Sequence, residues 1–182
     1  MKYLGVRVGG KNVTSIRFAD DQAMLTSSER DLQEVMGKME PVVARYDMKI
    51  GTKKTKVLKI GGTESAVNIK VNSTALEQVA KYRYLGSLIA QSGSSEPEIR
   101  SRIAMAMHVF DRNSHFLQSG INERLKKRLL KCLVWTVFTY GAEMWAMKKS
   151  DLRKMEAFEM WCWRKMMKIS WQVMRHESLL RD

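Results

Sequence analysis

Two adjacent carboxylates, Asp20 and Asp21, are the sharpest chemical feature of the sequence. They lie in Ala19-Asp20-Asp21-Gln22, a tight connection between two short strand candidates, Val13 to Phe18 and Ala23 to Thr26. Neighbouring carboxylates repel each other, and burying either charge is costly. A bound divalent cation removes that cost. Mg²⁺ takes carboxylate oxygens and leaves room for phosphate oxygens. Two such ions can activate a 3′-hydroxyl and stabilise a leaving pyrophosphate. The dipeptide by itself also reads as a solvated turn, so its surroundings carry the weight.

The 182 residues hold 32 Lys and Arg against 19 Asp and Glu, a net charge of +13. Residues 1–91 carry 15 basic and 9 acidic side chains, and residues 92–182 carry 17 and 10. The charge therefore covers the whole chain and is not a basic tail. A field of this sign attracts polyanions, with nucleic acid the leading candidate. Lys53, Lys54 and Lys56 form a basic run. Lys154, Trp161, Lys165 and Lys168 share one helical face with Phe158, and such a mixture suits phosphate contact and base stacking. The same face also reads as partly core, with lysine stems covering it. His108 and His115, seven residues apart on one helix without a third ligand, read as surface or packing residues. Cys132 and Cys162 form no C-x-x-C and read as buried thiols. No leader-like apolar run opens the sequence, and Cys132 to Ala142 is too short to span a bilayer. An intracellular protein with no membrane partner is expected.

The elements that must position these residues form two parts. Residues 1–92 read as mixed α and β. Ser28 begins a helix, with Asp31 as its capping partner, and apolar positions continue at helical spacing to Tyr46. Pro41 predicts a kink or early stop. Lys56 to Ile60 and Val67 to Val71 read as strands about a Gly61-Gly62 turn, and Val79 to Ile89 as one more. Residues 93–182 read as a helical bundle. Ser95-Glu96-Pro97-Glu98 starts a helix with Ile99, Ile103, Ala106, Phe110 and Leu117 on one face, ended by Gly120. Asn122 caps a second, through Leu125, Leu129, Leu133, Thr136 and Tyr140 to Gly141. Ser150 caps a third, with Leu152, Met155, Cys162, Met166 and Ile169 in a stripe.

Phe18-Ala19-Asp20-Asp21 between two strands resembles the aromatic-x-Asp-Asp box of reverse transcriptases. Tyr46 to Lys56 resembles the segment after the palm helix in that family, and Lys81-Tyr82-Arg83-Tyr84-Leu85-Gly86-Ser87 resembles its primer-grip hairpin. Leu129 to Trp135, Tyr140 to Trp145 and Glu156 to Arg164 resemble the thumb. The order and spacing of these blocks are similar to those of non-LTR (LINE-like) retrotransposon polymerases, over nearly the whole chain.

The resemblance implies an α+β fold: a partial palm over 1–92 followed by an all-α, thumb-like bundle over 93–182. It implies RNA-directed DNA polymerase as the parent activity. Mg²⁺ or Mn²⁺ would be held by Asp20 with Asp21 beside it, and RNA template, DNA primer and deoxynucleotide triphosphates would be its partners. Lys54 would neutralise or protonate the departing pyrophosphate. Tyr84, Leu85 and Gly86 would shape the turn that holds the primer end. Phe18 stands where the family usually has Tyr, Asp47 where Gly is common, and Gly51 where Asn is common. The family also needs another metal-binding Asp on an upstream strand, and fingers, for which the residues ahead of Phe18 are too few. A fragment inactive by itself is therefore expected. The alternative is a non-catalytic basic nucleic-acid-binding protein or a degenerate element product.

Overall fold

The computed structural model describes residues 5–62 and 65–170. The chain divides into two compact units, Met1–Gly93 and Ser94–Asp182.

In the first unit, every sheet among the described residues is a two-stranded pair. Strands β1 (Val6–Val8) and β2 (Lys11–Val13) form a hairpin about Gly9-Gly10, both at positive φ. Strands β3 (Ser15–Phe18) and β4 (Asp21–Met24) form a second. The helix α1 (Glu29–Ala44) starts where expected, with the Ser28 hydroxyl accepting the Asp31 amide at 3.1 Å. It runs through Pro41, however, and does not stop there. The proline lacks an N–H, but its carbonyl still accepts from Arg45 at 3.3 Å. The apolar stripe does not continue to Tyr46, since Val42 and Tyr46 are exposed.

The two strands expected about Gly61-Gly62 do not pair with each other. Only Lys56–Val57 (β5) and Lys70–Val71 (β6) are extended ladders. Strand β6 turns back through Asn72 and Ser73, both at positive φ, onto β7 (Thr74–Ala75). Strand β5 instead runs parallel to β8 (Glu77–Gln78). The segment expected as a single strand over Val79 to Ile89 is a hairpin of β9 (Lys81–Tyr84) and β10 (Ser87–Ala90). Leu85 and Gly86 turn it with φ of 47° and 81°, the two-residue geometry that matches strand twist.

Helix α1 joins the small sheets in a way periodicity does not reveal. The Glu29 carboxylate accepts the Asn68 amide at 2.8 Å. The Gln33 side chain both accepts from the Lys70 amide at 2.8 Å and donates to the Lys70 carbonyl at 2.9 Å. Glu40 accepts the Asn72 amide. Alternate residues of an extended segment thus meet one helix face, whose polar side chains satisfy an open strand edge. Beneath them lie Met36, Val57, Ile69, Val71 and Leu76, all buried.

The second unit is helical: α2 (Glu96–Arg112), α3 (Ser114–Leu117), α4 (Glu123–Leu129), a wide π-helical turn over Leu130–Trp135, α5 (Thr136–Phe138) and α6 (Lys149–Met166). Its core gathers Ala106, Phe110, Leu117, Leu130, Val134, Phe138, Phe158, Cys162 and Met166. Phe138 and Phe158 lie with centroids 4.9 Å apart, and Phe110 meets Trp161 edge-on at 5.1 Å. The buried pair Arg102–Glu98, 2.6 Å apart, carries the Arg102 guanidinium 4.4 Å from the centre of the Tyr140 ring.

Several expectations for this unit fail. The first helix ends at Arg112, ahead of Gly120, so Leu117 belongs to α3. Ser95 precedes α2 as expected, but its side chain makes no cap bond. Its hydroxyl accepts the Ala146 amide at 3.0 Å, tying a distant loop to the start of α2. The second stripe is displaced by one residue: Leu130, Val134 and Phe138 are buried, whereas Leu125 and Tyr140 are exposed. Leu130, Val134 and Phe138 follow one another at the same four-residue spacing as the expected stripe, so the helix buries the neighbouring face. Ser150 is inside α6, not its cap. Lys148 precedes the helix, and its amide donates to the Asp151 carboxylate at 3.2 Å. Leu152 of the expected third stripe is exposed. Cys132 is exposed too, contrary to its reading as a buried thiol. Cys162 is buried, and burial, followed by the nearby Glu159 charge, pushes its thiol up to about 12.

Candidate nucleic-acid interface

The β3–β4 turn needs only Ala19 and Asp20, because Phe18 pairs directly with Asp21. Ala19 takes a φ of 50°, which closes the turn tightly. Asp20 is therefore at the tip, whereas Asp21 is the first residue of β4 and not part of the connection. Side chains alternate along a strand, so Asp21, paired with Phe18, shares a face with it, and Ile16 and Ala23 continue that face. Phe18 is 64% exposed and Ile16 48%.

Both carboxylates are exposed. The desolvation cost expected for the pair is therefore absent. As a donor set for Mg²⁺, two carboxylates fit the usual protein contribution beside phosphates and water. Among the described residues, no group of three or more His, Cys, Asp or Glu side chains surrounds a common point.

The β9–β10 hairpin lies beside this ribbon. The Tyr84 hydroxyl donates to the Ile16 carbonyl at 3.2 Å, across 68 residues of sequence. Arg83 donates through Nη1 to the Gly86 carbonyl at 3.0 Å and so pins the turn that Leu85 and Gly86 make. Arg83 was not singled out from the sequence. A cation three residues before a glycine turn was the available signal.

The basic residues separate into two groups. Lys53 and Lys54 are exposed on a turn in which the Lys54 amide donates to the Gly51 carbonyl at 2.9 Å. Lys56 lies opposite Glu77 in the β5–β8 pair, and its ammonium is 2.5 Å from that carboxylate. Lys154 is likewise engaged, 2.5 Å from Glu96 and 3.7 Å from Asp151. The two cationic partners, first the Lys154 ammonium and then the Arg100 guanidinium, hold the Glu96 carboxyl below its usual value.

At the other end of α6, Lys165 and Lys168 are exposed. With Gln118, Trp161, Arg164, Ile169 and Ser170 they line a pocket of about 350 Å³. Trp161 is half-buried. It packs on Phe110 and Phe158, and the Lys165 ammonium lies 5.4 Å from its ring centre. The Arg164 guanidinium donates to the Ser170 carbonyl at 3.0 Å. Arg164 and Gln118 were not foreseen as site residues. Arg164 follows Trp161 by three positions, a helical neighbour relation that could have found it. His108 and His115 are exposed, as read, but lie on separate helices, α2 and α3, because the first helix ends at Arg112.

No helix among the described residues is long and apolar enough to cross a membrane. No family model matches the chain, and no solved structure matches it. The chain is similar to a Caenorhabditis elegans protein named as transposon-derived and uncharacterized, with 27% identity over 148 residues, 80% of this chain. The match spans 53% of that relative, so the chain corresponds to about half its length. This relative supports a mobile-element origin for the chain.

Proposed function

We propose that the chain is a nucleic-acid-binding portion of a mobile-element reverse transcriptase, a partial palm and a thumb, that does not polymerise by itself. The observation that carries this reading is the Tyr84–Ile16 hydrogen bond. Two blocks that resemble the catalytic box and the primer grip, far apart in sequence, lie against each other through it. A primer end resting on Tyr84, Leu85 and Gly86 would be next to the Asp20-Asp21 turn, as nucleotidyl transfer requires. Two-metal chemistry would need a further carboxylate to join Asp20 and Asp21, and Lys54 would face the departing pyrophosphate.

The net charge of +13 supports strand binding, and the ion pairs of Lys56 and Lys154 rank the contacts. Lys53, Lys54, Lys165 and Lys168 would release counterions on binding, and the two paired lysines would contribute less. Binding of a primer-template duplex, titrated at several salt concentrations, tests this. Affinity should fall by orders of magnitude over a few-fold rise in salt, and each of the four lysines changed to alanine should flatten the slope by about one unit. Salt-independent binding would overturn the reading. Primer extension with Mg²⁺ on an RNA template should be absent. Robust extension lost in Asp20→Ala would show instead that the chain is a complete enzyme.

A further inference from the structure

We propose that the pocket at the C-terminal end of α6 is a phosphate site, in which the Lys165 and Lys168 ammonium groups hold one phosphate of a nucleic-acid strand. The proposal rests on the nucleic-acid-binding reading above and names the group that one part of the surface takes.

A helix C-terminus ordinarily repels anions, because its last carbonyls carry partial negative charge. Here three of the carbonyls near the end already accept hydrogen bonds. The Met167 amide donates to the Trp163 carbonyl at 2.9 Å, Lys168 to Lys165 at 3.3 Å, and Ile169 to Arg164 at 2.9 Å. The last two bonds form the paired closure in which a left-handed residue follows the helix. Arg164 adds a positive charge at the same place while its bond to the Ser170 carbonyl fixes the chain that forms the far wall. Arg164 is thus a positioning residue. The lining holds three cationic side chains and no carboxylate.

The second observation is the identity of the left-handed residue. Lys168 has a φ of 55°, a conformation that a side chain with a Cβ rarely adopts and that glycine usually supplies at this cap. Strain at a non-glycine residue marks a position whose side chain merits a functional test. Its strained backbone places Lys168 on the pocket lining, one turn beyond Lys165. Trp161 contributes the apolar wall, but it is packed on Phe110 and Phe158. The pocket is therefore matched to phosphate more than to a stacked base.

The test uses the full chain and Lys168→Gly, with Lys165→Gln as a second variant. Glycine relieves the left-handed strain, so Lys168→Gly should melt at a higher temperature than the parent. Its binding to a single-stranded oligonucleotide should nonetheless weaken, with a salt slope lower by about one unit. Acetylation of Lys165 and Lys168, followed by mass spectrometry, supplies an independent readout: deoxyadenosine monophosphate should protect them, and deoxyadenosine should not. If the parent binds the oligonucleotide and both variants keep its affinity and slope, the phosphate site is overturned while the nucleic-acid reading stands. If the parent binds no oligonucleotide but the monophosphate protects the lysines, the phosphate site stands and takes a free nucleotide, and the nucleic-acid reading falls. Absence of both effects removes both.

Discussion

The Tyr84 hydroxyl donates a hydrogen bond to the Ile16 carbonyl at 3.2 Å, joining a hairpin that turns at Leu85-Gly86 to one that turns at Ala19-Asp20. A lone two-stranded ribbon is marginal in water. This bond therefore ties together two elements that have little independent stability, and it sets the distance between two turns.

Tyr84→Phe keeps the ring and removes only the donor. The expected loss is about 0.5–1.5 kcal/mol, towards the lower end because the site is open to water. Amide exchange of residues 15–24 should quicken while α6 is unaffected. Unchanged exchange in the ribbon would mean that the bond does not hold the two hairpins together.

Phe158 is 4% exposed and lies within 6.1 Å of Phe138, Trp135 and Trp161, centroid to centroid. Phe158→Ala should cost about 3–5 kcal/mol by lost transfer energy and an unfilled cavity. Chemical denaturation followed by tryptophan fluorescence measures it. A loss under about 1 kcal/mol would mean that the cluster repacks freely.

The two cysteines should differ in reactivity. Cys132 is exposed, whereas burial raises the Cys162 thiol to about 12. At mildly alkaline pH a thiol reagent should modify Cys132 rapidly and Cys162 only on unfolding. The sign for stability follows. In the unfolded chain the thiol ionises near 9.0, but in the folded chain only near 12. Stability from the neutral buried thiol is complete below the first value and fades between the two. Rapid labelling of both cysteines in the native chain would contradict the burial.

Glu96 accepts from Lys154 at 2.5 Å and Arg100 at 2.8 Å, and the two cations lower its carboxyl below 4.5. A lowered carboxylate stabilises the fold fully above its unfolded value, and the contribution disappears as pH falls through the folded value. The melting temperature should therefore decline in acid, and Glu96→Gln should flatten that decline. An identical acid profile for the variant would show that the contact between α2 and α6 does not depend on this charge.

The sequence disclosed the elements better than their partners. Ser28 and Asp31 marked the start of α1, and Ala19-Asp20 marked a turn, because capping and turn chemistry are local. The pairing of β5 with β8, and the grip of Glu29, Gln33 and Glu40 on an extended segment, depend on residues about 20 to 40 positions away. No local period encodes them. The buried stripe of the second helix was misplaced by one residue because Leu129-Leu130 and Leu133-Val134 offer two adjacent apolar faces at the same spacing. At the candidate site, the type of residue gave Lys165 and Lys168 but could not distinguish them from Lys56 and Lys154. Only the positions of Glu77 and Glu96 do that.

The π-turn over Leu130–Trp135 has a consequence for how this helix tolerates a change in length. A wide turn holds one residue more than an α-helical turn. Removing a single residue from a regular helix rotates everything beyond it by about 100°, enough to turn a buried face towards solvent. Deleting exposed Cys132 would instead tighten the turn to α-helical spacing and leave Leu130 and Val134 three apart, still on one face. The wide turn thus acts as slack in the helix, and a shortening that would ruin α2 or α6 should be absorbed there with Phe138 still in place.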